Sequence, residues 1–278
     1  MLHYPHFDPV LASIGPFAIH WYGLMYLIGF LGAWWLARLR AERIGISKQA
    51  VGDMIFYGAL GVVLGGRIGY AIFYGWDYLV ADPLWLFRVW DGGMSFHGGL
   101  LGVLIAIVLF ARKHQLHFME LCDFIAPIVP IGLGAGRIGN FINQELPGRI
   151  SHVAWAIDYP KYGPEPRHPS AIYQCLTEGL LLFVVLWWVS RKPRRRGLLA
   201  GLFVLLYGCF RFFTEFFRRP DPQLGFIAFN WLTMGQLLCV PMILIGGALL
   251  IWSRRQPLDL TGPHAAAPST AEQSEHSR

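Results

Sequence analysis

Apolar residues in this chain gather into runs of about 20, the length a helix needs to cross a hydrocarbon core of about 30 Å. Seven such runs are predicted as membrane helices, at 17–39, 51–74, 95–111, 121–141, 170–190, 198–217 and 231–252. A transmembrane β-barrel would instead show short segments of alternating polarity. The fold class expected is therefore all-α, a polytopic membrane protein.

The polar stretches between the runs set the orientation. Arg38, Arg40, Arg43 and Lys48 follow the first run, Arg112 and Lys113 the third. Arg191, Lys192, Arg194, Arg195 and Arg196 follow the fifth, and Arg254 and Arg255 the seventh. The alternate loops are poorer in Lys and Arg, so the positive-inside rule puts the N-terminus outside and the C-terminus in the cytoplasm. Two outer connections are long, 75–94 and 142–169. The second carries Pro147, Pro160, Pro164, Pro166 and Pro169 and is expected to form a small extracytoplasmic cap on a catalytic domain spanning 1–256. The tail at 257–278, rich in Ala, Pro, Ser, Glu and His, reads as disordered.

Composition agrees with a membrane chain. Of 278 residues 55% are hydrophobic and 14% charged, against about 25% charged in a soluble domain. The net charge of +6 does not point to nucleic acid, because the basic residues sit where topology places them. Cys122, Cys175, Cys209 and Cys239 all lie within apolar runs, with neither CxxC nor zinc spacing, and read as small buried hydrophobes. The first residues carry no Lys or Arg and no small-residue cleavage site follows, so the first run is expected to stay as a helix. Leu64-Gly-Gly-Arg-Ile-Gly-Tyr70 weakly echoes Leu133-Gly-Ala-Gly-Arg-Ile-Gly-Asn140; small residues in both suit close helix packing.

The candidate chemistry lies in the polar residues inside or beside the runs. Tyr22, Arg67, His97, Arg137, Asn140, Asn143, Glu145, Arg149, Arg211 and Glu215 all fall on the predicted outer side. An arginine at mid-bilayer costs about 2.5–3.5 kcal/mol, so Arg67, Arg137 and Arg211 are expected to face an internal cavity. They outnumber Glu145 and Glu215, which favours an anion site over simple ion pairing. Pairing remains the alternative for Arg211 and Glu215, spaced i, i+4. On a helix Arg137, Asn140, Phe141 and Gln144 would share one face, with Pro147 and Gly148 ending it. His97 sits among glycines, where backbone can approach a ligand; His20 and His168 are its rivals.

Gly136-Arg-Ile-Gly-Asn-Phe-Ile-Asn143, continuing Gln144-Glu-Leu-Pro-Gly-Arg149, closely resembles the signature of the prolipoprotein diacylglyceryl transferase family. His20-Trp-Tyr-Gly-Leu-Met-Tyr26, Phe87 to Gly99, Arg167-His-Pro-Ser170 and Glu215-Phe-Phe-Arg-Arg-Pro-Asp221 resemble further blocks of that family, in its order, from about residue 3 to 255. Three positions depart from it: Gln144 where several members have Gly, Pro147 where others have a bulky residue, and Gln174 in place of an acidic residue.

The resemblance implies a seven-helix enzyme of the bacterial inner membrane with its site toward the outer leaflet. It would transfer the diacylglyceryl group of phosphatidylglycerol to the lipobox cysteine of a prolipoprotein, forming a thioether and releasing glycerol phosphate. It implies functional roles for Tyr22, His97, Arg137, Asn140, Glu145, Gly148, Arg211 and Glu215. Read beside the polar residues above, His97 is the expected proton acceptor with Glu145 as its competitor, and Asn143 and Arg67 are expected beside the lipid. No Walker motif, HExxH or GxGxxG is present, so neither nucleotide nor metal is expected. The alternative from another class is a carrier for an anionic lipid, since intramembrane arginines suit it too. Against it, few polar residues occupy the cytoplasmic halves. An intramembrane protease lacks its motifs here.

Overall fold

The computed structural model describes residues 2–5, 7–15, 17–88, 91–220, 224–256 and 258. The tail expected to be disordered lies outside them except for Leu258, which bridges Arg195. Two compact units are present, Met1–Leu36 with Asp123–Arg278, and Ala37–Cys122. Six helices among the described residues are long and apolar enough to cross a membrane, and a bent helix pair supplies a seventh crossing if it is one span. Between 17% and 33% of each span's apolar stretch is buried, so most of it is left to face lipid.

The larger unit begins with β1 (Leu2–His3), then the hairpin of β2 (Val10–Ile14) and β3 (Phe17–His20), where Ile14 pairs with Phe17 and Gly15 takes φ +59°. The helix predicted from residue 17 therefore starts later: α1 is Trp21–Arg40, because pairing with β2 claims the backbone of Phe17–His20.

In the smaller unit, α2 (Lys48–Phe73) starts where the Ser47 hydroxyl accepts from the Ala50 amide at 3.1 Å. The short α3 (Trp76–Ala81) follows, then α4 (Phe96–Lys113), capped by Ser95. Helices α2 and α4 touch backbone to backbone. A Cβ on Gly61 would lie 2.6 Å from the Gly102 carbonyl oxygen, and one on Gly69 2.8 Å from the Gly98 Cα. Small residues permit this approach, and close packing is one of the forces that hold helices together in lipid.

The run expected as one span at 121–141 is broken. Helices α5 (Phe118–Ile125) and α6 (Val129–Ile142) meet at 47°, with Pro127 and Pro130 at the break. Each proline removes a backbone donor and crowds the preceding turn. Asp123 on α5 accepts from the Gly197 and Ala200 amides at 2.5 and 2.7 Å, satisfying first-turn donors of α9 (Leu198–Glu215). Helix α6 packs against α1 through Gly29, whose Cβ would lie 3.1 Å from the Gly132 Cα.

The 142–169 segment builds a small sheet. Strand β4 (Ile157–Asp158) pairs in parallel with β1 and antiparallel with β5 (Pro166–Arg167). Tyr4, Ile157 and Tyr159 form its core, with Phe141 and Tyr162 packed on it. Burial raises the Tyr4 and Tyr159 phenols above their ordinary range. The Tyr4 hydroxyl lies 3.0 and 2.8 Å from the Phe141 and Ile142 carbonyls, so the N-terminal arm supplies a donor to the open end of α6.

The remaining spans are α7 (Ser170–Gln174), a π-helical stretch Cys175–Leu181 and α8 (Leu182–Val189) in one continuous rod, then α9, then α10 (Met234–Ser253). Helix α10 starts three residues later than predicted. Thr233 and Gln236 form a reciprocal capping box there, with bonds of 3.2 and 3.0 Å.

Candidate active site

Helix α6 carries Arg137 and Asn140 and stops at Ile142, five residues short of the predicted stop at Pro147. Gln144 and Leu146 then take φ of +52° and +54°, a region L residues rarely visit, and the chain reverses. The reversal brings Glu145 back over the helix end. Asn140 donates to its Oε2 at 2.8 Å and Asn143 to its Oε1 at 3.3 Å. The face expected to join Arg137, Asn140, Phe141 and Gln144 is thereby divided. Phe141 packs into the Tyr4 cluster, and Gln144 accepts from the Lys161 amide at 3.1 Å.

Arg137 does not stand alone. Its Nε and Nη2 donate to one oxygen of Glu178 at 3.3 and 3.0 Å. Arg211 lies 3.9 Å from the other oxygen, and the Thr214 hydroxyl donates to it at 3.4 Å. Glu178 is fully buried on the π-helical stretch, a winding often found at functional sites. Glu178 is not among the residues that spacing or resemblance singles out, although it is the one carboxylate in the fifth run.

The network continues along α9. Arg211 pairs with Glu215 at 3.0 Å, and Arg218 reaches the same carboxylate at 3.6 Å. The Thr233 hydroxyl donates to Glu215 Oε1 at 3.3 Å, joining the cap of α10 to the network. Arg149 donates to the carbonyls of Arg218 and Glu215 at 3.0 and 3.5 Å. Burial lowers its guanidinium from the usual range, and the Glu215 carboxylate opposes that shift. Arg137, Arg211 and Arg218 thus meet Glu178 and Glu215, leaving one positive charge in excess before Arg149 is added. Arg211 Nη1 and Asn143 Oδ1 are buried with no hydrogen-bond partner among the described residues. Such orphans are uncommon in folded proteins, and both of these lie on side chains that meet carboxylates of the site.

Gly148 bridges to Arg218, while the Arg149 and Arg219 amides bond the Phe217 and Pro147 carbonyls at 2.8 and 3.0 Å. This pairing ties the loop after α6 to the end of α9. A Cβ on Gly148 would lie 2.7 Å from His168 Cβ and collide with the His168 carbonyl, so only glycine fits there. Tyr22 packs its ring against Gly139 on α6, where a Cβ would lie 2.9 Å from Tyr22 Cδ2, and its hydroxyl is 3.2 Å from that of Tyr26.

Arg67 departs from expectation. It is buried in the smaller unit, where Nε and Nη2 donate to the Leu86 and Trp85 carbonyls at 3.0 and 2.7 Å. Nη1 donates to the Gly92 carbonyl, and the guanidinium lies 4.1 Å over the Trp85 ring. Its burial cost is offset by loop carbonyls, and it braces the backbone at Trp85, Leu86, Gly92 and Gly93. His97 lies in the first turn of α4, exposed, edge-on to Phe96. Of its rivals, His20 is exposed on β3. His168 is half-buried, 3.1 Å from the Tyr173 hydroxyl, with burial lowering its imidazole.

Residues 9–252 match the sequence model of a family described as prolipoprotein diacylglyceryl transferase. A phosphatidylglycerol–prolipoprotein diacylglyceryl transferase of Chromohalobacter salexigens is 69% identical over 259 residues, 93% of this chain and 97% of the relative. Proteins of the same description from Pseudomonas paraeruginosa and Coxiella burnetii are 58% and 56% identical, covering 96% and 92% of this chain and 100% and 98% of theirs.

Proposed function

This chain belongs to the prolipoprotein diacylglyceryl transferase family and is an enzyme, and we propose that it moves the diacylglyceryl group of phosphatidylglycerol onto the lipobox cysteine of a prolipoprotein. The observation that carries the site assignment is the pair of guanidiniums on Glu178, with Arg211 Nη1 left as a buried donor without a hydrogen bond. A phosphodiester is an anion that only accepts hydrogen bonds, which suits a network with more guanidiniums than carboxylates. Arg137 and Arg211 hold that phosphate, and Asn140, Asn143 and Glu145 lie beside the headgroup. Gly148, Arg149 and Glu215 hold the loop and the arginines in place, and Tyr22 lines the lipid's approach.

In the reaction the cysteine thiolate attacks the diacylglycerol carbon that bears the phosphate ester. A carbon–sulfur bond forms as the carbon–oxygen bond breaks. The electron pair stays on the phosphate oxygen, and glycerol phosphate leaves. Charge therefore grows on the phosphate in the transition state, where arginines already in place stabilise it; losing one such donor costs about 10²–10³ in rate. A free thiol, with pKa about 8.5, is only a few per cent ionised at neutral pH. The sequence resemblance puts His97 forward to take its proton, with Glu145, held by Asn140 and Asn143, as the alternative. Arg67 has no part in this scheme. The reading places the enzyme in the bacterial inner membrane, N-terminus outside, with the site toward the outer leaflet.

The test is transfer from phosphatidylglycerol labelled in its acyl chains to a lipobox peptide. Label on the peptide, absent from a Cys→Ser peptide, is expected. Label that crosses a vesicle membrane without joining the peptide would favour a carrier.

A further inference from the structure

Gln174 is 0% exposed, yet neither its Oε1 nor its Nε2 has a hydrogen-bond partner. A buried amide with both ends unmet is costly in a folded protein, and most such groups are met by something. Its surroundings show where its partner would lie. Ser170, Gln174 and Glu178 recur at four-residue intervals and share one side of the rod. At one end of that side the Ser170 hydroxyl donates to the Leu146 carbonyl at 2.7 Å, next to Glu145. At the other end Glu178 holds Arg137 and Arg211. Gln174 thus stands between the Glu145 loop and the paired guanidiniums, one turn from the place proposed for phosphate.

The chemistry of the amide limits the ligand. It offers donors at one end and an acceptor at the other. A phosphate only accepts, so it would satisfy Nε2 and leave Oε1 bare. A hydroxyl both donates and accepts, and a pair of hydroxyls meets both ends. Resting on the transferase reading above, we propose that Gln174 determines headgroup specificity by hydrogen-bonding the glycerol hydroxyls next to the phosphate. Arginines bind any phospholipid phosphate alike; Gln174 distinguishes a polyol headgroup from one without hydroxyls.

The experiment compares kcat/KM of the full-length enzyme on phosphatidylglycerol and on phosphatidylpropanol, which keeps the phosphate and lacks both hydroxyls. Wild type is expected to prefer phosphatidylglycerol by about tenfold or more, and Gln174→Leu to bring the two lipids within about threefold by losing rate on phosphatidylglycerol. If the leucine variant does not fold, Gln174→Met, of similar length, gives the same comparison. A purely structural amide would leave the ratio where it was, since its loss would act on both lipids alike. A wild-type ratio near one, or an unchanged ratio in the folded variant, overturns the inference. Failure of folded wild type to transfer from either lipid defeats the transferase reading itself, and the inference with it.

Discussion

Arg137 grips a single oxygen of Glu178, with Nε at 3.3 Å and Nη2 at 3.0 Å, and leaves the second oxygen to face Arg211. One buried carboxylate therefore sets the position of both arginines proposed to bind phosphate. Removing it leaves two guanidiniums to repel each other where water is scarce. Glu178→Ala is expected to cost about 3–5 kcal/mol of stability, the range for breaking a buried pair. Glu178→Gln keeps the volume and an acceptor, and should unfold nearer to wild type while losing most transfer activity. Thermal unfolding in detergent, read beside transfer rate, checks both. Full activity in Glu178→Ala would show that the arginines need no such anchor.

Arg67 spends its donors on the carbonyls of Trp85, Leu86 and Gly92. Arg67→Ala should therefore act on folding, with a loss of about 3 kcal/mol or more as buried carbonyls lose their donor. Lysine cannot span the same set of acceptors, so Arg67→Lys should rescue little. Per folded molecule, Arg67→Ala is expected to transfer within about tenfold of wild type, whereas Arg137→Ala falls by about a hundredfold or more. A stable Arg67→Ala protein that no longer binds anionic lipid would return Arg67 to the site.

His168 gives a pH dependence with a definite sign. Burial lowers its folded pKa from 6.5, so the unfolded chain takes up the proton first. Stability from this group is complete above about pH 6.5 and declines as pH falls from there toward the folded value. The melting temperature between pH 8 and 5 should fall, and His168→Phe should flatten that slope. An unchanged slope in the variant would assign it to other groups.

The spans were legible because length and apolar content suffice to define them. Their interruptions were not. The break at Pro127 and Pro130 lay inside an apolar run whose length favoured one helix. The β2–β3 hairpin took residues whose apolarity suits helix or strand equally. Within the site, Arg137, Asn140, Asn143 and Glu145 are neighbours in sequence, and the structure brings the two asparagines onto Glu145 as a local matter. Arg211 and Glu215 are paired by helical spacing alone. Glu178 comes from 41 residues beyond Arg137, so their pairing is tertiary and not readable from spacing. Its presence was still readable: a lone carboxylate in an apolar run carries the same warning as the arginines do. Arg67 shows the converse, since the cost of burying a guanidinium does not say whether a ligand or a loop offsets it.

The most direct test of the account measures both products of one reaction, diacylglyceryl peptide by intact mass and glycerol phosphate in solution, with purified enzyme, phosphatidylglycerol and lipobox peptide. The account predicts equal amounts of the two, a peptide adduct whose mass is unchanged by neutral hydroxylamine, which cleaves thioesters and spares thioethers and oxygen esters, and loss of both products in Arg137→Ala. A peptide adduct cleaved by neutral hydroxylamine, or one formed without glycerol phosphate, would mean that the thiol attacks an acyl ester and not the carbon bearing phosphate, and would contradict it.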